Sequence, residues 1–295
     1  MRQQRSYDEA GSKGRLYLVP TPIGNLDDMT FRAVDTLKNV DVIAAEDTRV
    51  TIKLCRHFHI STPLISYYEH NKQKSGERIL ERLLDGDTVA LVADAGTPVI
   101  SDPGSELVAT CIENDIPVIP LPGANAAVTA LIASGIFNGH FYFYGFLPRH
   151  GKEKKEEIER LKRIDVPILF YEAPHRLSDT LRLLNEKLGD RKGTIARELT
   201  KRYEEFIRGT LSELSDWSNT YDVRGECCIV VEGAGGEEWK LKNDPWWESL
   251  SIDEHVDFYR REDDLSAKEA IKRVAIDRRL PKREVYQAYH LRNDG

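Results

Sequence analysis

Thr88-Val89-Ala90-Leu91-Val92-Ala93 runs directly into Asp94-Ala95-Gly96-Thr97-Pro98-Val99-Ile100-Ser101-Asp102-Pro103-Gly104, and the reading of this stretch decides the fold. A short continuous apolar run of this kind reads as a strand covered on both faces. Residues 105–112 then read as a helix. Between the two lies a long loop holding two Gly, two Pro and two Asp. A connector that only had to turn the chain could be shorter. Gly lets a backbone approach a ligand, and Pro fixes the shape of a loop. In open α/β sheets, ligands sit at the carboxyl ends of the strands. Taken alone, the loop is equally a rigid turn with capping residues.

The same alternation extends in both directions. Residues 16–19 predict a strand, 20–26 (Pro20-Thr21-Pro22-Ile23-Gly24-Asn25-Leu26) a stiff loop, and 30–38 a helix. A strand over 42–45 ends on Glu46-Asp47-Thr48-Arg49, and a helix follows to about 58. Residues 64–66 form a short strand and 75–84 a helix. After the decisive loop and its helix come a strand over 117–120, a hinge at 121–125, and a helix rich in small residues over 126–134. Strand-helix alternation predicts an α/β domain with a largely parallel sheet. A second α/β region has strands near 141–144, 168–171, 194–197, 203–208 and 228–231, and helices near 152–163 and 176–188. The tight spacing of its last strands predicts antiparallel pairing. The chain thus divides into a disordered leader (1–14), two α/β domains (15–121 and 122–233), a linker (234–247) and a three-helix tail (248–295).

Length and charge bound the function. A chain of 295 residues exceeds one ordinary domain. The formal charge of -7 argues against wholesale coating by nucleic acid. The tail departs from that average. Between 266 and 292 stand eight Lys or Arg against three acids, on helices opened by Ser266 with Glu269 and by Pro281. A basic helix-turn-helix-like unit on an acidic protein suits a polyanionic partner, although a solvated bundle would show the same charges. Cys55, Cys111, Cys227 and Cys228 lack metal-ligand or CxxC spacing and read as reduced, buried thiols, with the vicinal pair pointing to opposite faces of a strand. No apolar run approaches a membrane span, and the polar leader has no signal core, so a cytoplasmic protein is expected.

The chain contains no G-x-G-x-x-G, P-loop, HExxH or G-x-S-x-G motif. Polar clusters stand instead at predicted strand ends: 22–25, 46–49, the decisive loop, Tyr171-Glu172-Ala173-Pro174-His175-Arg176, and Arg197-Glu198-Leu199-Thr200-Lys201. Each alone reads as caps and salt bridges. Together they suggest a cleft between two domains, with rigid loops and both signs of charge, suited to a zwitterionic cofactor and a polyanionic substrate.

These motifs, with Leu121-Pro122-Gly123-Ala124, resemble the tetrapyrrole-methylase superfamily in its rRNA branch, the small-subunit 16S rRNA (cytidine-2'-O)-methyltransferases. The similarity is collinear over about 16–233, and the basic tail resembles one carried by many members. Asn125 stands where that pattern has a smaller Ser or Cys. With no HExxH or Cys cluster, no metal is expected; the resemblance implies two α/β domains around S-adenosylmethionine, a homodimer, and methylation of a cytidine ribose 2'-hydroxyl in the decoding region of the small ribosomal subunit. It places the cofactor against Asp94, Ala95, Gly96, Thr97, Val99 and Ser101, with Pro22, Ile23, Leu121, Ala124, Thr129 and Tyr171 as walls or edges. Methyl transfer needs a proton acceptor for the 2'-hydroxyl. The candidates are Glu46 and Asp47, with Glu198 behind them; the alternative is that Glu46 and Asp47 pair with Arg49 and Arg197 and only shape the cleft. Phosphate contacts fall to Arg49, His175, Arg176, Arg197 and Lys201, and in the tail to Lys272, Arg273, Lys282 and Arg283.

Three rivals stand beside this reading. A tetrapyrrole methyltransferase shares the fold and cofactor, but the basic tail and the Glu-Asp-Thr-Arg and Tyr-Glu-Ala-Pro-His-Arg motifs speak against it. A ligand-sensing nucleic-acid-binding regulator would not concentrate its motifs in the body. A nicotinamide enzyme lacks its glycine fingerprint.

Overall fold

The computed structural model describes residues 3–6, 14–137, 139–234, 247, 250–263, 265–278 and 280–290. Residues 1–234 form one compact unit and 235–295 another. In the first unit, β1 (Arg15–Leu18), β2 (Val42–Ala45), β3 (Leu64–Ser66), β4 (Thr88–Val92) and β5 (Val118–Pro120) make a sheet of order β3-β2-β4-β1-β5. Every pairing in it is parallel. Its strands are apolar because both faces are covered. In β2, Val42 and Ala44 pack on one face while Ile43 and Ala45 pack on the other. α1 (Phe31–Asn39) and α2 (Thr48–His57) cover one face; α3 (Lys72–Leu84) and α4 (Ser105–Glu113) cover the other. The chain therefore leaves the adjacent strands β1 and β4 toward opposite faces. Their carboxyl ends are thus a switch point, the edge of an open α/β sheet at which ligands bind.

The second sheet contains β6 (Tyr142–Phe146), β7 (Ile168–Glu172), β8 (Lys192–Arg197), β9 (Glu205–Thr210) and β10 (Cys227–Val231), in the order β6-β7-β10-β8-β9. Only β6 and β7 pair in parallel. β10 lies at its centre and alternates strictly. Cys227, Ile229 and Val231 face a core built with α6 (Gly151–Leu161), α7 (Pro174–Leu188) and α8 (Leu211–Thr220), while Cys228 and Val230 face α5 (Ala126–Ser134). All four thiols are free and buried, as expected of cysteines without metal-ligand or CxxC spacing, and the vicinal pair faces opposite sides of its strand. Asn125 caps α5 by accepting from the Val128 N–H at 3.1 Å, which explains its place there.

Three expectations are adjusted. α3 begins at Lys72 rather than at 75. α8 is an element that the apolar pattern does not announce; its signal is the capping box of Thr210 and Glu213. In the leader, expected to be disordered, the Gln4 carboxamide bonds both the N–H and the carbonyl of Val118 on the edge of β5; residues 1–2 and 7–13 lie outside the described residues. Most of the expected linker, 234–247, also lies outside them. The tail forms α9 (Ile252–Glu262), α10 (Ala267–Asp277) and α11 (Lys282–His290) around Val256, Ile271, Val274, Val285 and Tyr289. Arg278, counted among the basic residues of the tail, is an internal brace: its guanidinium donates to the carbonyls of Trp247 and Leu250 and lies over the Trp247 ring.

One buried ionic cluster joins β7 to its helices. Glu172 is 1 % exposed. It accepts from the Ala173 N–H at 2.9 Å and from Thr180 Oγ1 at 2.6 Å, and lies 3.3 Å from Arg176 Nε and 3.7 Å from Lys154 Nζ. Burial lowers the pKa of Lys154, and the Glu172 charge opposes that shift. Glu172→Ala strands a buried cation and should lower stability by about 3–5 kcal/mol, whereas Lys154→Met should lower it far less. Urea unfolding of both variants checks this; equal losses would contradict it.

Candidate active site

The loops after β1, β4 and β5 are tied to one another before they meet anything else. Thr21 and Gly96 exchange backbone hydrogen bonds of 2.9 and 3.0 Å. Thr21 Oγ1 donates to the Ala93 carbonyl at 3.1 Å, and Thr97 Oγ1 to the Ala124 carbonyl at 3.0 Å. Gly96 has φ +84°, and a Cβ there would stand 3.3 Å from Ile23 Cγ2. Val99 (φ 76°) and Ser101 (φ 64°) take the left-handed conformation without being glycine. For a β-branched residue such as Val99 this is a strained state, of the kind that concentrates at functional sites. Across from them, Glu198 (φ 51°) and Thr200 (φ 65°) are held in the same way in the loop after β8.

A cavity of about 550 Å³ lies against these loops. Its apolar surface comes from Ile23, Ile100, Ala126, Phe146, Tyr171 and Leu199, and its backbone edge from Asp94, Ala95, Gly96, Thr97 and Ser101. Among the described residues, six carboxylates line it (Glu46, Asp94, Asp102, Glu172, Glu198 and Glu226) against one cation, Lys201. Glu172 is neutralised within its own cluster, and Glu198 pairs with Lys201 at 2.8 Å. Glu46, Asp94, Asp102 and Glu226 remain, so the cavity is electronegative. Burial and the charges of Glu46, Asp94 and Glu226 push the Asp102 carboxyl up to about 7. Burial and the Asp94 charge raise Glu46 as well. Asp94 accepts from the Asp47 N–H at 3.0 Å and so joins the loops after β2 and β4. Tyr171 accepts from the Ala127 N–H through its hydroxyl at 3.2 Å. Cys227 and Cys228 also line the cavity, and burial pushes the Cys227 thiol up to about 12, which makes it a poor nucleophile.

The residues anticipated from sequence divide into two groups. Glu46, Glu198, Ile23, Asp94, Ala95, Gly96, Thr97, Ser101, Tyr171 and Lys201 line the cavity. Asp47 does not. It caps α2 through the Arg49 N–H and binds the Arg49 side chain at 2.6 Å, which holds its carboxyl down at about 2. Arg49 is 89 % exposed. Pro22 faces a shallower depression beside α2, and Val99 and Leu121 pack into the hydrophobic core. Ala124 offers its carbonyl to Thr97, and Thr129 bonds back to the Asn125 carbonyl within α5. Arg197 is engaged by Glu205 at 2.6 Å and by the Arg224 carbonyl. Arg176 is engaged by Glu172 and by the carbonyls of Leu147 and Pro148. His175, Lys272, Arg273, Lys282 and Arg283 are exposed. Asp102 and Glu226 are cavity residues that the sequence reading did not single out. Asp102 had a signal, since it stands in the decisive loop; Glu226 precedes a strand and had none. Among the described residues no group of three or more His, Cys, Asp or Glu is arranged to hold a metal ion, and no helix is long and apolar enough to cross a membrane.

Two α/β sheets, knitted carboxyl-end loops and an electronegative cavity define a methylase-type body, and comparison with known proteins agrees. Residues 15–215 match the Tetrapyrrole (Corrin/Porphyrin) Methylases, and the chain belongs to that family. At closer range, it is 58 % identical over 292 residues to the ribosomal RNA small subunit methyltransferase I of Bacillus subtilis, covering 99 % of both chains. It is 54 % identical over 290 residues to the protein of the same name from Halalkalibacterium halodurans, covering 98 % of this chain and 99 % of that one. The fold is shared with the uroporphyrin-III C-methyltransferase of Thermus thermophilus, solved in complex with S-adenosylhomocysteine: TM-score 0.54, 18 % identity, covering 74 % of this chain and 97 % of that one.

Asp102 should leave a signature in stability. Its native pKa of about 7 lies above the ordinary 3.8, so the folded chain holds this proton more tightly than the unfolded one. The resulting stabilisation is complete below the ordinary pKa and is lost as pH rises to about 7. Asp102→Asn should therefore raise Tm near neutral pH and leave it nearly unchanged at about pH 4. Calorimetric scans at both pH values check this; equal shifts would contradict it.

Proposed function

We propose that this protein transfers a methyl group from S-adenosylmethionine to the ribose 2'-oxygen of a cytidine in 16S rRNA of the small ribosomal subunit. The observation that carries the reading is the excess of carboxylates in the cavity. A sulfonium donor that also bears an ammonium group suits that surface, whereas the pyrophosphate of a dinucleotide would be repelled by it. The names of the full-length relatives support rRNA as the acceptor and disfavour the tetrapyrrole alternative. The Thermus neighbour, bound to the demethylated cofactor, supports the choice of donor.

S-adenosylmethionine, when bound, supplies an electrophilic methyl carbon; the rest falls to this chain. The backbone from Asp94 to Ser101, with the Thr97 hydroxyl fixed by Ala124, gives a rigid edge, and Ile23 and Tyr171 close the apolar sides. A rigid cradle contributes chiefly by alignment for in-line displacement. Glu46 and Asp102 are the proton acceptors for the 2'-hydroxyl. Burial and the neighbouring acids raise both carboxyls, Asp102 to about 7, near the pH at which a general base works best. Glu198 positions Lys201 at the rim. Asp47 organises the start of α2 rather than accepting the proton. The homodimer is supported by an apolar surface that a monomer would leave in water: Ile132 and Val128 on α5, with Phe137, Phe141 and Tyr142. The cytoplasm is the compartment that this substrate requires.

Incubation with labelled S-adenosylmethionine and small subunits lacking the modification should place label on a cytidine 2'-oxygen, as mapped by nuclease digestion. Label on a base, or none, would refute the reading. In the same assay kcat/KM should rise with pH to a plateau above about 7, and Asp102→Asn should lower it about 10²–10⁴-fold and flatten the profile. An unchanged profile would move the proton acceptor elsewhere. The tail should add charge-dependent affinity. Replacing Lys272, Arg273, Lys282 and Arg283 together with Ala should weaken subunit binding in a salt-dependent manner and leave S-adenosylmethionine binding intact. Equal losses in both would remove the tail from the RNA interface.

A further inference from the structure

A second depression, of about 920 Å³, adjoins the cavity, and Phe146 and Ala173 line both. Its charge is the reverse of the cavity's. Arg149, Lys154, Lys155, His175, Arg176 and Arg182 line it, with Asp179 as the single acid among the described residues. Two of these cations are committed inward: Lys154 to Thr180 and Glu172, and Arg176 to Glu172 and two carbonyls. Arg149, Lys155, His175 and Arg182 are exposed, and Arg182 also lies 3.3 Å from Asp179 and 4.0 Å from Glu186 on its own helix. On a chain with a formal charge of -7, this is a local concentration of positive charge beside a reaction cavity. The backbone adds to it. α6 begins at Gly151 and α7 at Pro174, both at this groove, and neither His150 nor Ala173 caps its helix with a side-chain hydrogen bond. Two helix N-termini thus present their positive ends to the same space. Phe146, 54 % exposed, stands on the lip with its ring 5.5 Å from that of Tyr171.

We propose that this groove holds the phosphodiester backbone of the single-stranded RNA flanking the target ribose, with Arg149, Lys155, His175 and Arg182 as its phosphate contacts. The inference rests on the reading of RNA as methyl acceptor and adds the path by which that RNA reaches the cavity. The 2'-oxygen meets the methyl group inside the cavity, and a ribose that enters it brings the adjoining nucleotides as a splayed single strand. Phosphates in the basic groove and the ribose in the acidic cavity match the alternating charge of the two spaces. The exposed Phe146 ring between them offers a stacking face for the base beside the target, a contact that serves any sequence. The same division explains why the cavity's carboxylates do not repel the substrate: the polyanion is held next door, and only a neutral sugar and base cross the lip.

The test uses the full-length protein with small subunits lacking the methyl group. Arg149→Ala/Lys155→Ala is compared with wild type and with Lys74→Ala/Arg78→Ala, exposed cations that do not line the groove. The groove variant should show a KM for the subunit raised about tenfold or more, and a plot of log affinity against log salt shallower by about 1.4, two phosphates at roughly 0.7 each. Its affinity for S-adenosylmethionine, measured by calorimetry, should match wild type, which also reports a folded body. The α3 variant should match wild type throughout. Charge-retaining Arg149→Lys/Lys155→Arg should recover most of the loss. An unchanged KM and salt slope in the groove variant overturns the inference. A loss of affinity with an unchanged slope assigns the groove to a ribosomal protein and also overturns it. Failure of the wild type to label any RNA is a separate result: it refutes the acceptor itself, and the inference falls with it.

Discussion

The backbone pair between Thr21 and Gly96 is the constraint on which the site depends. β1 and β4 are neighbours in a sheet covered on both faces, so their outgoing loops have only the carboxyl edge on which to run. Joined by two hydrogen bonds there, each loop fixes the other. The left-handed conformations at Val99 and Ser101 persist because their surroundings leave no alternative. Thr97, held by the Ala124 carbonyl, extends the tie to the loop after β5. A ligand that meets this edge meets a backbone whose ordering was completed during folding, so little entropy is lost on binding.

Electrostatics divides the remaining surface. Glu46, Asp94, Asp102 and Glu226 stay without a cation at hand because the nearby arginines are committed elsewhere: Arg49 to Asp47 and Arg197 to Glu205. Burial and the charges of neighbouring acids raise the proton affinity of Asp102 and Glu46, and the acids left unpaired make the cavity receptive to a cation. The cations of the adjoining groove are kept apart from those acids by the buried Glu172 cluster, which is charged, internally satisfied and shared by both walls. One buried carboxylate thus supports two surfaces of opposite sign.

The legibility of the chain followed the physics of each feature. Apolar runs of four to six residues located nearly every strand, because a strand buried on both faces tolerates little else. Strand-end clusters located Glu46, the loop from Asp94 to Ser101, Tyr171 and Glu198, because Gly, Pro and charge seldom coincide there without a task. α8 was hidden, since its apolar face is brief and its start lies in a capping box directly after a strand. Asp47, Arg176 and Arg197 looked alike in sequence to residues that act on a ligand. A charged side chain in a loop has the same spelling whether it caps a helix, braces a carbonyl or meets solvent.

The sequence by itself determined the alternation of strands and helices, the place of the loops at carboxyl ends, the family and the basic character of the tail. These are local or cumulative properties, written in periodicity, composition and contiguous motifs. The tertiary structure alone decided which charges cancel and which remain. Asp102 and Glu226 lie far apart in sequence and reach one cavity only because β4 and β10 belong to two sheets folded into a single unit. Arg149 and Arg182 meet in one groove only because α6 and α7 pack into the same core. Charge acts through space over distances that the chain order does not record, so its sign at a site is settled only when the fold brings every partner into place.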